Sequence, residues 1–283
     1  MQRRYSTWLL LAPAGVWFAV MLVLPLCFVL VFSFGERAAA GGYVPAFTFA
    51  QYANLPARGT AFLNTLMLAP LGTVLSLIID YPLAYFLAMR VGPKWRTTLL
   101  ILVIVPFWTS ILIRSYAWIF ILGGQGLPAV IDWLGFGPVR LINTPFAVLT
   151  GIVYGYLPLM VLPVYVSLER LDKRLLEASA DLGASPLRSF LQVTLPVSAP
   201  GVATGCLLVV ILLMGEFLIP AMLGGGKVFF IGNALVDLFL QSRNWAFGAA
   251  VAVTLVVIML VTVSLYMWLM RRMGGVRDDV ALM

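Results

Sequence analysis

Glu177-Ala178-Ser179-Ala180-Asp181-Leu182-Gly183, followed after nine residues by Val193-Thr194-Leu195-Pro196, is the polar break between two long apolar blocks, and the architecture turns on it. On its amino-terminal side Asp172 can cap a short helix. In that helix Leu171, Leu175, Ala178 and Leu182 recur at i, i+4, i+7 and i+11 as one apolar stripe, and Gly183 supplies a left-handed stop. Ser185 and Pro186 then stand at the N-cap and first position of a second helix, whose Leu187, Phe190, Leu191 and Thr194 share a face, and Pro196 discourages its continuation. A polar helical elbow projecting from a membrane block is expected. Small side chains at Ala178, Ser179 and Ala180 admit a close backbone, while Lys173, Arg174 and Glu177 offer charge-assisted contacts. A loop lying on lipid headgroups would have a similar composition; the two-part spacing favours docking of a partner.

The surrounding chain belongs in a bilayer. Apolar residues make up 62% of its 283 positions and charged ones 10%, against ~25% charged in typical soluble domains. An all-α integral membrane protein is expected, with six stretches near the ~20 residues that cross a ~30 Å hydrocarbon core. They run approximately Thr7 to Phe34, Ala61 to Met89, Thr97 to Leu122, Pro145 to Leu168, Pro200 to Leu223 and Trp245 to Met270. Prolines 25, 70, 82, 106 and 158 imply kinks, which membrane helices tolerate when neighbours re-satisfy the freed carbonyls. The long uniform runs argue against a barrel, whose strands alternate.

With both termini in the cytoplasm, twelve of the eighteen Lys and Arg residues fall inside, five (Arg37, Arg58, Arg140, Lys227 and Arg243) fall outside, and Arg114 lies within a span. This bias places the elbow in the cytoplasm and accounts for the net charge of +7 without a nucleic acid. Arg3 and Arg4 ahead of an apolar run look like a signal peptide, with Ala38-Ala39-Ala40 as its cleavage site. The run exceeds the ~7 to 15 residues of such a core, so it reads as an uncleaved anchor. Residues 1–59 form this anchor and an outer loop, and residues 60–283 the core.

Chemistry is scarce. The chain has no His, and its two cysteines, Cys27 and Cys206, lack metal-ligand spacing, so no metal site and no catalytic residue is expected. Gly224-Gly225-Gly226-Lys227 lacks the first Gly and the Ser or Thr of a phosphate loop and reads as a turn. Three ionisable residues, Asp80, Arg114 and Glu216, lie inside spans, where each costs ~2.5 to 3.5 kcal/mol on insertion scales and is a functional candidate. Glu216 and Arg114 are each expected roughly 25 Å from the cytoplasmic start of a helix, and Asp80 roughly 15 Å deep, at ~1.5 Å per residue. Snorkelling to the outer headgroups accounts for Arg114. For Glu216, a salt bridge to Arg114 and a role towards solute are both open.

The elbow resembles the cytoplasmic coupling loop of bacterial ABC-importer permeases. That family's pattern is Glu-Ala-Ala, three residues, Gly, nine residues, Ile, any residue, Leu-Pro, from which this chain departs at Ser179 and Val193. Gly215-Glu216-Phe217-Leu218-Ile219-Pro220-Ala221-Met222-Leu223-Gly224-Gly225, Pro106-Phe107-Trp108-Thr109-Ser110-Ile111-Leu112-Ile113-Arg114-Ser115-Tyr116-Ala117-Trp118 and Tyr81-Pro82-Leu83-Ala84-Tyr85 resemble permeases of putrescine/spermidine-type importers, from about Ala61 to the end. Permeases for ferric iron, thiamine, phosphonates or opines share much of this. Asp80 stands where glycine is expected, which leaves the role of its helix open.

The resemblance implies a type I ABC importer transmembrane domain, six helices with a coupling helix between the fourth and fifth, in a bacterial inner membrane. It implies a second homologous permease, two copies of a cytoplasmic ATPase that use ATP and Mg, and a periplasmic solute-binding protein; this chain itself binds no cofactor. Glu177, Ala178, Ser179, Ala180, Gly183, Leu195 and Pro196 would couple to the ATPase. For a polyamine, Glu216 would attract an ammonium group, Trp108, Tyr116, Trp118 and Phe217 would offer cation–π contacts, and Asp80 would lie along the path. Arg114 would be a structural or path charge. A stand-alone secondary transporter would need its own ion site and often an inverted repeat, neither of which is visible. A membrane enzyme would need a converging nucleophile and base.

Overall fold

A computed structural model of the chain describes residues 11–39 and 41–278. Arg3, Arg4, Thr7 and Ala40, which enter the anchor and orientation readings, lie outside them. The described chain is helical apart from a two-residue ribbon, β1 (Glu36–Arg37) against β2 (Tyr43–Val44), with Glu36 opposite Val44. In order come α1 (Leu11–Phe32), α2 (Leu55–Arg90), α3 (Pro93–Trp108), α4 (Ile111–Trp133, interrupted at residues 123–126), α5 (Pro145–Glu169) and α6 (Lys173–Asp181). They are followed by α7 (Pro186–Met214), α8 (Leu218–Leu223), α9 (Ile231–Gln241) and α10 (Trp245–Asp278). Among the described residues, α1, α2, α5, α7 and α10 are each long and apolar enough to cross a membrane, and the bent pair α3–α4 is long and apolar enough together to count as a sixth.

Two of the six expected spans have other bounds. The third is not one rod from Thr97 to Leu122: α3 and α4 meet at an angle of 91°. Pro106 lacks the N–H that would continue the α-ladder, Val105–Trp108 tightens into a 3₁₀ turn, and Thr109 and Ser110 are extended at ψ 149° and 133°. The fifth span does not start at Pro200 or reach Leu223, and Pro196 does not end the elbow's second helix. α7 runs without a stop from Pro186 through Pro196 and Pro200 to Met214, because a π-helical turn at Phe190–Thr194 absorbs the hydrogen bond that Pro196 cannot donate. Its first ten or so residues therefore exceed what the ~20 needed to cross the bilayer require.

The chain divides into two compact units. Among the described residues, one comprises 11–39, 41–59 and 234–260. In it α1 has no residue of its apolar window buried by the protein, so lipid or a partner must cover it. Behind α1 the ribbon is held by stacking of Phe32 on Tyr43 with ring centroids 4.3 Å apart, and by Gly42 N donating to Arg243 O at 2.7 Å. Arg58 pairs with Asp237 at 2.5 Å, and Arg37 donates to Ser242 O at 3.0 Å.

The second unit comprises residues 60–233 and 261–278 and contains the main core. α2 buries a small and polar stripe, Ala61, Thr65, Ala69, Thr73, Ser76, Asp80 and Ala84, at intervals of three or four residues. Its hydroxyls at Thr65 and Thr73 are satisfied by carbonyls one turn back. α5 and α7 lie in backbone contact. A Cβ on Gly201 would fall onto the Pro163 carbonyl and the Ser167 side chain, and one on Gly205 would lie 2.9 Å from Met160 Sδ. Around this pair Val148, Ile152, Met160, Val164, Leu168, Val209, Leu213, Ile219 and Leu223 form a buried cluster.

Candidate functional site

The elbow is built by local rules. Asp172 Oδ1 accepts from Arg174 N at 3.0 Å and Ser185 Oγ from Arg188 N at 3.4 Å, so α6 and the start of α7 are capped as their sequences predict. Gly183 has φ +78°, and Gly183 N donates to Ala180 O at 2.8 Å while Ala184 N donates to Ser179 O at 3.1 Å. Those two bonds make a Schellman stop, which requires a residue at ease in the left-handed region.

The elbow's outer face is open. Glu177, Ala178, Ala180 and Leu195 are exposed, Pro196 is half-buried, and of the apolar stripe only Leu171 is buried; Leu175 is exposed and Leu182 is 89% exposed. Ser179 is half-buried because its Oγ lies 2.6 Å from Ser189 Oγ, pinning the two short helices together. Phe190 turns inward and meets the rings of Tyr81 and Tyr85 edge-on, at 5.7 and 6.3 Å. Tyr81 also shares a 2.8 Å hydrogen bond with Ser198 on α7. The Tyr81–Tyr85 segment thus clasps the root of the elbow, a contact that the sequence motif did not reveal because it joins positions more than a hundred residues apart.

A second constellation sits at the other end of α7. Glu216 is not inside a continuous helix as expected: it occupies the break Gly215–Phe217 between α7 and α8. Its Oε1 accepts from Leu218 N at 2.7 Å and Ile219 N at 3.2 Å, capping α8, and the Tyr156 hydroxyl of α5 donates to Oε2. Asn233 closes the same break by donating from Nδ2 to Phe217 O at 2.6 Å and accepting from Phe230 N at 3.1 Å. Glu216 is 8% exposed, so a carboxylate taken out of water is held by three donors.

Among the described residues the salt bridge between Glu216 and Arg114 is not formed. Arg114 instead donates from Nη1 to Gly155 O at 3.5 Å and lies over Phe107 and Tyr154, with its guanidinium carbon 5.8 and 6.0 Å from the ring centroids. Trp108 is 85% exposed, Tyr116 and Phe217 are also exposed, and Trp118 packs edge-on against Tyr154 at 5.6 Å. Asp80 is 1% exposed in the α2 stripe, and among the described residues neither of its oxygens nor the Ser76 hydroxyl one turn away has a hydrogen-bond partner. Tyr156 was missed from sequence; the only signal was a buried tyrosine whose hydroxyl needs a partner, and several tyrosines met that description.

Near the start of α3, Arg96 pairs with Glu169 at the end of α5 at 3.1 Å and donates to Ala88 O of α2 at 3.1 Å, and the Tyr165 hydroxyl donates to Glu169 at 2.7 Å. Cys27 and Cys206 are free thiols.

Comparison with known proteins supplies an independent line. Residues 80–275 match the family model described as binding-protein-dependent transport system inner membrane component, a range that takes in the elbow and the Glu216 break. The chain is 41% identical to the spermidine/putrescine transport system permease protein PotB of Haemophilus influenzae over 256 residues, 88% of this chain and 89% of that protein. It is 42% identical to PotB of Escherichia coli K12 over 248 residues, covering 86% and 90%. Among solved structures, a bacterial alginate ABC transporter in complex with an alginate pentasaccharide-bound periplasmic protein has a chain that superposes with TM-score 0.75, at 18% identity and 96% coverage of both chains. That likeness concerns the fold.

Proposed function

The chain belongs to the family of binding-protein-dependent transport system inner membrane components, and on that premise we propose that it is the permease subunit of an ATP-driven importer carrying a polyamine of the putrescine/spermidine class from periplasm to cytoplasm. The observation that carries the coupling half of this reading is the elbow, a capped helix that presents Leu175, Leu182, Ala178 and Glu177 outward with no cover from its own chain. A cytoplasmic ATPase, in two copies and using ATP and Mg, is the partner that such a surface fits. The remainder of the assembly is a second homologous permease, which would also cover α1, and a periplasmic solute-binding protein of the kind seen with the alginate transporter. The bias of basic residues supports placing both termini in the cytoplasm.

The polyamine assignment rests on PotB, to which the chain is similar over most of its length. In this reading Glu216 serves the path in two ways. Its bonds to Leu218, Ile219 and Tyr156 fix the break between α7 and α8, and its negative charge favours a cation passing the exposed Phe217 ring. Uptake of labelled spermidine into vesicles carrying the assembled transporter, with thiamine, ferric iron and phosphonate as competitors, tests the assignment. Competition by putrescine alone is expected, and uptake displaced by one of the others would overturn it. Glu216→Gln should lower polyamine uptake severalfold with assembly intact, whereas Tyr156→Phe, which keeps the charge, should lower it less. Equal rates in Glu216→Gln and wild type would remove Glu216 from the path.

A further inference from the structure

The outer half of the broken third span carries a cation whose donors the protein leaves open. α3 rises roughly 24 Å at ~1.5 Å per residue before the bend, so with Arg90, Lys94 and Arg96 at the cytoplasmic face Arg114 lies at the depth of the outer leaflet. Among the described residues its one hydrogen bond is the long contact to Gly155 O at 3.5 Å, and its Nε is buried without an acceptor. Among the described residues no carboxylate lies within ion-pair distance of it. A guanidinium has five N–H donors in a fixed fork, and this half-buried one, with two ring faces, one carbonyl and, beyond hydrogen-bond reach, the Tyr156 hydroxyl that Glu216 already engages, is undersatisfied. The site therefore calls for an anion.

The space beside it calls for something else. A cavity of about 200 Å³ opens next to Arg114, walled by Leu83, Leu102, Val103, Pro106, Phe107 and Leu157, with Tyr154 and Pro158 completing it. On another face of α3 a second cavity of about 280 Å³ is lined by Ile101, Ile104, Val105 and Trp108. A small anion would satisfy the guanidinium and leave these apolar walls bare, and a hydrocarbon would do the reverse. An amphiphile with an anionic head satisfies both. A cationic solute is excluded by like charge.

We propose that the bend in the third span binds an anionic phospholipid of the outer leaflet, with its phosphate on Arg114 and an acyl chain in the adjoining apolar cavity. The planar fork of a guanidinium matches two phosphate oxygens, and the exposed Trp108 ring stands where an indole sits among headgroups. The bilayer supplies the ligand, so the site is filled at insertion, and the lipid acts as a wedge that holds α3 and α4 at their angle.

The test is native mass spectrometry of the transporter purified in its assembled form, titrated separately with phosphatidylglycerol, phosphatidylcholine of the same chains, and glycerol 3-phosphate. Phosphatidylglycerol adducts should form at about tenfold lower concentration than phosphatidylcholine adducts, the scale of one charge-assisted pair. Arg114→Gln should erase that preference and Arg114→Lys, which keeps the charge without the fork, should keep part of it. Val103→Phe, which fills the cavity and leaves Arg114 alone, should weaken phosphatidylglycerol severalfold. Equal binding of the two lipids by wild type, or an unchanged preference in Arg114→Gln, overturns the proposal. Displacement of the lipid by glycerol 3-phosphate would overturn it in favour of a soluble anion. Should Arg114→Gln fail to assemble, a wild type indifferent to headgroup charge would assign Arg114 to a carboxylate of the second permease, and a wild type and Arg114→Lys that both prefer phosphatidylglycerol would uphold the lipid.

Discussion

Replacing Gly183 by valine isolates the backbone geometry of the elbow from everything else about it. The residue sits at φ +78°, and a Cβ built there meets no atom within 4 Å, so the substitution removes no packing and creates no clash. Its whole cost is that of holding an L-residue in the left-handed region, ~1–2 kcal/mol, with a β-branched side chain at the upper end. α6 is exposed except at the half-buried Leu176 and Ser179 and is held by its cap, the two Schellman bonds and its contact with the start of α7 through Ser179 and Ser189, so this cost falls chiefly on the elbow. A penalty of ~1–2 kcal/mol reduces the folded fraction of a marginal element by about 5- to 30-fold. Pull-down of the ATPase and solute-stimulated ATP hydrolysis should fall accordingly in Gly183→Val, while membrane insertion is unchanged. Gly183→Asn, which tolerates the left-handed region, should stay near wild type. A valine variant that docks and hydrolyses normally, or an asparagine variant as impaired as valine, would refute the reasoning.

Phe190→Ala removes two edge-on ring contacts, each worth ~0.5–1.5 kcal/mol, without touching the elbow's outer face, so the ATPase should still be pulled down while stimulation of hydrolysis by solute is lost. Loss of the pull-down would show that Phe190 only shapes the elbow. Asp80→Ala should raise the thermal midpoint of the detergent-solubilised protein, because it removes a buried carboxyl without partners that costs ~1–3 kcal/mol; a lowered midpoint, or lost uptake at unchanged stability, would make Asp80 a working part of the path.

What could be read from sequence was what local chemistry decides. Asp172, Gly183 and Ser185-Pro186 each fix a helix end through atoms two to five residues away, so the elbow is legible before any packing is known. Proline was harder. Pro106 breaks the third span and Pro196 passes unnoticed through α7, although each deletes one donor; a 3₁₀ turn exposes the first loss and a π turn hides the second, and neighbouring helices choose between them. The membrane charges could be found but not paired. Hydropathy marks Glu216 as costly, yet its partner Tyr156 is 60 residues away and is selected by the rotation of α5 about its axis, which no spacing rule encodes. The same holds for Arg114, whose ring partners Phe107 and Tyr154 lie 7 and 40 residues away in the chain.

The glycine contacts between α5 and α7 bear on how a push at the elbow would travel. With Gly201 seated on the Pro163 carbonyl, Gly205 on Met160 and Ser167 Oγ bonded to Val197 O at 3.3 Å, the two helices interlock at backbone depth. Axial sliding would lift main chain over main chain. The elbow is rooted in both helices, since Leu171 follows α5 and Phe190 begins the π turn of α7, so a load on it enters a stiff beam rather than two independent rods. Such a beam answers by tilting. The Glu216 break is tied to the same pair by its bond to Tyr156, midway along α5, so a tilt of the pair at the elbow would carry that break with it.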